Sequence, residues 1–318
     1  MESIPAISVS GLSKSFGSLK ALSEVSFSVA RGEIFAYLGP NGAGKTTTIR
    51  IMAGLLDRDA GEGSICGRDV AEDPIFVKER IGVVPEESNL YPELTCRRNL
   101  EYLGELYGLA RGVRTRKAAE LLRFFDLVDR ATTPFGALSK GLKRRLTIAA
   151  ALIHNPEVVF MDEPTSGLDV PSARALRELI RVINRQGVTV FLTTHNLQEA
   201  EALSQRVLIL IQGRVAALGT PSEIRQRVQR LYLLSVTFSP EIEAARLLGA
   251  CPAILQASSQ NGAWRLEVAE VHAALEQVVA FARGEGVRIS EINTLTASLE
   301  DAFMSFVKRG GPKAEALP

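Results

Sequence analysis

The sequence is poor in the features that mark a secreted or membrane-spanning chain. Its three cysteines, Cys66, Cys96 and Cys251, stand far apart and form no C-x-x-C pair. That excludes a disulfide frame or a cysteine zinc site and fits reduced cytosolic thiols. No sign of charge dominates: 37 basic and 36 acidic residues leave a net charge of +1, so no electrostatic case exists for a nucleic-acid coat. Long apolar runs are missing too. Stretches such as 188–192 and 207–211 are far too short to cross a bilayer. The opening Met1-Glu2-Ser3-Ile4-Pro5 has neither the basic nor the apolar region of a signal peptide. The expectation is a soluble chain of about two domains, held at a membrane, if it works at one, by something else.

What is present is a phosphate-binding loop. Gly39-Pro40-Asn41-Gly42-Ala43-Gly44-Lys45-Thr46-Thr47 follows the apolar run Ile34-Phe35-Ala36-Tyr37-Leu38 and precedes Thr48-Ile49-Arg50-Ile51-Met52-Ala53. Strand, tight loop and helix is the context that G-x-x-x-x-G-K-[ST] requires. Glycines let successive N–H groups turn inward toward phosphate oxygens. The helix that follows adds unpaired amides and the positive end of its dipole. Lys45 is placed for the β- and γ-phosphates and the Thr46 hydroxyl for Mg²⁺. The loop predicts a nucleoside-triphosphate site.

Around that loop the chain alternates between strand and helix patterns. Residues 6–38 alternate in a strand-like way, and Phe16, in Lys14-Ser15-Phe16-Gly17, is either a ring that stacks on a base or an ordinary turn aromatic. A helix is expected over 74–80 and a buried strand over 81–84, ending at Pro85-Glu86-Glu87. From Thr95 to Phe125 the period is helical, with Thr95 as a cap, which predicts an inserted helical block over about 93–152. Ser139 caps a helix that the pattern carries to about His154, before Asn155-Pro156. Lys143, Arg144 and Arg145 sit in its first turns, where the dipole disfavours cations; they form a solvated basic face or a surface for polyphosphate. The apolar strand Val158-Val159-Phe160-Met161 ends in Asp162-Glu163. A strand end beside the phosphate loop is where such carboxylates handle ligands, Asp162 through water on Mg²⁺ and Glu163 as acceptor of a proton from the attacking water. A helix is expected from Pro171 and a strand over 188–194 that ends at His195, itself either structural or part of the site. Residues 207–217 predict a closing hairpin.

The order of these motifs resembles the nucleotide-binding domain of ATP-binding cassette ATPases, over residues 6 to about 225. The resemblance implies an α/β, RecA-like P-loop core with an antiparallel β-subdomain and a helical insertion, in a domain spanning 1–225. Phe16 stands at the adenine-stacking position and Gly39 to Thr46 is the Walker A loop. Leu138-Ser139-Lys140-Gly141-Leu142 matches the signature, in which Ser139, Lys140 and Gly141 address ATP held by the opposite subunit. Asp162 and Glu163 match the Walker B aspartate and catalytic glutamate, Ser166 and Asp169 belong to the D-loop, and His195 is the switch histidine. Glu86 replaces the usual glutamine that touches Mg²⁺, and Lys140 and Leu142 replace a glycine and a glutamine; both departures resemble the exporter branch. The implied cofactors are ATP and Mg²⁺. The implied partners are a second nucleotide-binding subunit, most simply another copy, and a transmembrane permease at the cytoplasmic face of the membrane, with no nucleic acid. The alternative class, a soluble cassette ATPase acting on ribosomes or DNA, lacks its second cassette or its long coiled coil here.

Beyond 225 the motifs stop. Residues 226–318 are expected to form an accessory α+β domain in which strands over 231–238, 253–257, 264–268 and 287–292 alternate with helices over 240–248, 271–283 and 298–307. That β-α-β-β-α-β order resembles a ferredoxin-like split βαβ. Trp264 and His272 are read as packing residues rather than ligands, and Asn261-Gly262 as a turn.

Overall fold

The computed structural model describes residues 4–228, 232–240, 242–260, 262–295 and 298–308. Strands β1 (Ile7–Phe16) and β2 (Leu19–Val29) form a hairpin, and β3 (Ile34–Leu38) runs into the phosphate loop and α1 (Lys45–Met52). Strands β4 (Ala60–Ile65) and β5 (Arg68–Asp69) complete an antiparallel sheet in the order β2-β1-β4-β5. Helix α2 (Pro74–Arg80) precedes β6 (Ile81–Val84), and the helical block holds α3 (Cys96–Leu106), α4 (Arg111–Phe124) and α5 (Lys140–Ala151). Then β7 (Val158–Asp162), α6 (Val170–Arg185), β8 (Thr189–Thr194), α7 (Leu197–Leu203), β9 (Arg206–Ile211) and β10 (Arg214–Gly219) close a six-stranded sheet ordered β10-β9-β3-β8-β7-β6. All its pairs are parallel except β10 with β9.

Strands β3, β7 and β8 are buried along their whole length, as a parallel sheet covered on both faces demands, and that is why they read as unbroken apolar runs. Phe27 of β2 joins the two sheets, with ring centroids 5.5 Å from Phe35, 5.5 Å from Tyr37 and 5.9 Å from Phe191. Thr95 caps α3 by accepting from the Arg98 amide at 3.2 Å, as the pattern predicts.

Helix α5 stops at Ala151, short of His154. Asn155 takes a left-handed φ of 58° ahead of Pro156, so the last turn unwinds before the proline. The His154 ring leaves the helix axis to stack on Tyr107, with centroids 3.7 Å apart, and its Nε2 lies 2.9 Å from the Ile81 carbonyl. Only an Nε2–H can donate there, which leaves Nδ1 a buried acceptor with no partner. Burial, with the Lys117 ammonium adding to it, pushes this imidazole down to about 4. The unfolded chain takes up that proton near pH 6.5 while the folded chain refuses it, so stability falls as pH drops from 6.5 toward 4. After allowance for the ring's part exposure the loss is about 1–2 kcal/mol by pH 5. Urea midpoints at pH 7.5 and pH 5 should show it, and His154→Gln, whose amide still reaches the carbonyl, should flatten the difference.

The described residues divide into two compact units, 4–220 and 221–308. The second holds α8 (Pro221–Val228), β11 (Tyr232–Ser239), α9 (Ala244–Ala250), β12 (Ile254–Gln260), β13 (Ala263–Val268), α10 (Val271–Gly284), β14 (Arg288–Leu295) and α11 (Leu299–Lys308). Its sheet is antiparallel throughout in the order β12-β13-β11-β14, the arrangement of a split βαβ. Leu234, Val236 and Phe238 of β11 and Trp264, Leu266 and Val268 of β13 point into one core with Leu247, Ala274, Val278 and Phe281. Trp264 is thus a packing residue. His272 is not: it is exposed, with Nε2 3.4 Å from Glu276. Helix α9 begins at Ala244 rather than Pro240. Leu231 and Asn261, read as a strand start and a turn residue, lie outside the described residues. Among the described residues no helix is long and apolar enough to cross a membrane.

Candidate active site

Five parallel strands deliver their C-terminal ends to one edge, where open α/β sheets bind ligands. Register does the gathering: Leu38 of β3 pairs with Thr194 of β8, Asp162 of β7 with Thr193, and Val84 of β6 with Met161. The loop after β3 needs its glycines. A Cβ on Gly39 would stand 2.5 Å from the Leu210 carbonyl, and one on Gly44, whose φ is 109°, 2.5 Å from that of Ala21. Ala43 is buried, Thr47 half-buried, and Pro40, Asn41, Gly42 and Thr46 are exposed, so the loop's outer side is open. Lys45 is only 6% exposed. Its ammonium donates to the carbonyls of Gly39 at 2.7 Å and Pro40 at 3.3 Å, and lies 3.2 Å from Glu163 Oε1. The Thr46 hydroxyl donates to Asp162 Oδ2 at 2.8 Å.

Asp162 is held on its other oxygen by the Thr193 hydroxyl. Glu163 follows with a left-handed φ of 46°, a conformation that a non-glycine residue adopts at a cost of about 1 kcal/mol and that clusters at functional sites. Its amide is fixed by Thr193, whose carbonyl is 3.1 Å and hydroxyl 3.2 Å away. The turn aims the carboxylate at two cations or donors at once. Oε1 faces Lys45 without the alignment of a hydrogen bond, and Oε2 meets His195 Nδ1 at 2.9 Å. The His195 side chain is 55% exposed, so one face of the imidazole is free to meet a ligand. Five of the residues singled out from the sequence, Lys45, Thr46, Asp162, Glu163 and His195, therefore form one connected network. A hydroxyl beside a carboxylate suits a hard cation, and the amide-lined loop with its lysine suits a polyphosphate.

Other predicted residues stand apart from that network. Phe16 is 49% exposed near the end of the β1–β2 hairpin, with Lys14 Nζ 5.8 Å from its ring centroid. Glu86 is exposed beyond β6. Its carboxylate acts on the same guanidinium, Arg144, as those of Asp162 and Glu163, and among the described residues no three His, Cys, Asp or Glu side chains converge as a metal cluster. Ser139 is exposed and caps α5, its Oγ 3.5 Å from the Leu142 amide. The Lys140 ammonium lies against Gly167, 2.1 Å from where a Cβ would be, and Gly141 clears Ser172, whose Oγ would meet a Cβ at 3.3 Å. Ser166 turns back to the Glu163 carbonyl at 3.1 Å, and Asp169 caps α6 by accepting from the Ser172 amide at 2.7 Å. That bond holds the Asp169 carboxyl below its usual range.

The family profile described as ABC transporter matches residues 22–166. The linearmycin resistance ATP-binding protein LnrL of Bacillus subtilis is 39% identical over 73% of this chain and 75% of its own length. The daunorubicin resistance ATP-binding protein DrrA2 of Streptomyces coeruleorubidus is 35% identical over 98% of both chains. This chain belongs to the ABC transporter family, as an ATP-binding subunit. It resembles the exporter branch, and membership implies an ATPase that uses ATP and Mg²⁺. The solved ATP-binding subunit of an ABC transporter matches 70% of this chain and 92% of its own at a TM-score of 0.64 and 36% identity. A dimeric ATP-binding cassette in a post-hydrolysis state, bound to ADP and phosphate, matches 67% of this chain and 98% of its own at a TM-score of 0.61 and 28% identity.

Two buried charged side chains beside the site escape the sequence. Arg144 was expected on a solvated or phosphate-facing surface, yet it is 7% exposed. Its guanidinium donates to the carbonyls of Pro85 at 2.5 Å, Glu163 at 2.6 Å and Asp162 at 3.4 Å. Burial lowers its pKa and the carboxylates of Glu86, Asp162, Glu199 and Glu163 oppose that; the guanidinium stays charged. The second is Glu199, 1% exposed, with no hydrogen-bond partner on either oxygen. Burial pushes its carboxyl up, the charge of Glu163 adds to the rise, and the nearby hydroxyls of Thr194 and Thr165 with Arg177 oppose it. Nothing local in the sequence says what either side chain meets.

Proposed function

We propose that this ATP-binding subunit pairs with a second copy on ATP and drives export through a separate membrane permease. The observation that carries the reading is the division of the pocket. Lys45, Thr46, Asp162, Glu163 and His195 converge in one network, whereas Ser139 and Lys140 are exposed at the start of α5. Among the described residues no hydrogen bond or ion pair joins Ser139, Lys140 or Gly141 to the Gly39–Thr46 loop. A γ-phosphate on Lys45 would thus be enclosed from the other side by a partner's helix N-terminus. In this reading the loop amides of 39–46 and Lys45 hold the phosphates, Phe16 takes the base, and Thr46 and Asp162 hold Mg²⁺ with Glu86 as a further oxygen donor. Magnesium, when bound, would offset phosphate charge. Glu163 takes the proton of an attacking water, and His195 holds that carboxylate in place. Ser166 and Asp169 shape the turn between Glu163 and α6.

In this reading the permease docks on a concave, partly apolar face. A groove of about 540 Å³ is lined by Leu55, Ile75, Lys78, Glu79, Leu106 and Tyr107, and Ile75 and Leu106 are 73% and 62% exposed. Apolar side chains so exposed at the rim of a concave site mark an interaction surface, here for a short amphipathic segment of the permease. Relatives named for drug resistance and for Nod factor export support the exporting direction. The balanced charge argues against a nucleic-acid partner.

The shared pocket is tested by mixing two disabled chains. Lys45→Ala spoils one half and Ser139→Arg the other, so neither variant should form an ATP-dependent pair alone. Their mixture assembles one intact site per pair and should sediment as a dimer with ATP. A mixture that stays monomeric while the native chain pairs would exclude a pocket built from two subunits.

A further inference from the structure

We infer that Arg144 is the positioning residue through which helix α5 sets the geometry of Glu163. The inference rests on the paired-ATPase reading above and adds to it the route by which one half of the pocket acts on the other within a chain.

A guanidinium sealed from water is costly unless its donors are used. Here they are spent on backbone rather than on a carboxylate. One nitrogen takes the Pro85 carbonyl at 2.5 Å, and the other takes Glu163 at 2.6 Å with Asp162 at 3.4 Å. The Pro85 and Glu163 carbonyls lie just beyond the ends of β6 and β7, and the Glu163 oxygen is shared with the Ser166 amide at 3.1 Å. The planar fork of arginine spans both strand ends at once, which a point-like ammonium does less well. The Glu163 carbonyl belongs to the residue held at a φ of 46°. A hydrogen bond to that oxygen, opposed by the Thr193 bonds to its amide, pins the residue through both flanking peptides. Released, Glu163 relaxes toward an ordinary backbone conformation, and its carboxylate swings off Lys45 and His195.

The other end of the arm is Ser139. Arg144 follows it by five positions on α5, whose residues Leu146 to Ala151 are buried, so the helix is clamped and moves as a rigid rod. At 1.5 Å per residue, the phosphate-facing cap and the guanidinium are about 7–8 Å apart along one axis. Whatever engages Ser139 therefore displaces or steadies Arg144, and with it the Pro85 and Glu163 carbonyls of its own site. The carboxylates of Glu86, Asp162, Glu199 and Glu163 favour a cation at this point.

The test uses the full chain and three substitutions. Arg144→Met keeps bulk and removes every donor; its kcat for ATP should fall more than tenfold with KM within about threefold. It should still pair on ATP, because the loop and Ser139 are untouched. Arg144→Lys keeps the charge and a donor but not the fork, and should recover only part of the lost rate. If the methionine variant does not fold, as the loss of three acceptors' partner allows, Arg144→Gln decides, with the same kcat-selective loss expected. Native kcat in the methionine or glutamine variant overturns the assignment. So does a loss that appears equally in kcat, KM and pairing, which marks Arg144 as merely structural. Absence of turnover in the native chain would instead strike the paired-ATPase reading.

Discussion

Glu163→Gln is expected to cut ATP turnover by about 10²–10⁴-fold, the range that a positioned general base supplies. The substitution changes little except the proton affinity of one group. Glutamine has the same length, can keep the contact to His195 Nδ1 now made at 2.9 Å, and leaves the 46° backbone turn to its clamps on Thr193 and Arg144. ATP should still bind, since the Gly39–Thr46 loop is intact, and removal of the buried negative charge 3.2 Å from Lys45 frees the ammonium for phosphate. The variant should therefore accumulate as an ATP-held pair. Single-turnover hydrolysis and sedimentation on the same sample check both halves. A variant that hydrolyses ATP at the native rate would remove Glu163 from its role.

How much of this was legible depended on whether the physics was local. The phosphate loop is a sequence-contiguous device, so its strand, turn and helix were readable from Ile34 to Ala53. Caps are equally local: Thr95 and Ser139 each accept from an amide three residues on. The parallel core strands announced themselves because burial on both faces leaves no polar alternation. Arg144 was not legible in that way. Its carbonyl partners lie 18, 19 and 59 residues away, so the same helical position reads as solvated or as ligand-facing until the strands are placed. His154 misled for a related reason. Periodicity carried the helix to it, but a tertiary bond to Ile81 and the stack on Tyr107 pull the ring off the helix. Glu199 sits one turn past His195 in an acidic, unremarkable stretch, and only the packing of Thr165 and Thr194 around it shows that its carboxyl is interred. Position 86 was read for its side chain. The structure instead ties the preceding carbonyl, of Pro85, into the Arg144 clamp and leaves Glu86 exposed.

Lys45→Ala should weaken ATP binding by about 10²-fold or more, equivalent to roughly 3 kcal/mol, the cost of truncating one member of a buried charge pair. An ammonium has three donors, and here the Gly39 carbonyl, the Pro40 carbonyl and Glu163 Oε1 occupy its surroundings at 2.7, 3.3 and 3.2 Å. Each is a weaker claimant than a phosphate oxygen, so a polyphosphate in the loop takes the ammonium over and releases Glu163 toward water and His195. On the proposed reading lysine is both the counter-charge of the ligand and the restraint on the base, and one substitution removes both. Alanine leaves phosphate without the buried ammonium's counter-charge, and binding suffers. Titration of a fluorescent ATP analogue measures the loss directly. Lys45→Arg should lose affinity as well despite keeping its charge, because the walls around Lys45 leave only 6% of it exposed and a planar fork is larger than an ammonium. Native affinity in the alanine variant would mean that phosphate is held elsewhere, and the network of Lys45, Glu163 and His195 would then be a structural ion pair rather than the floor of an ATP site.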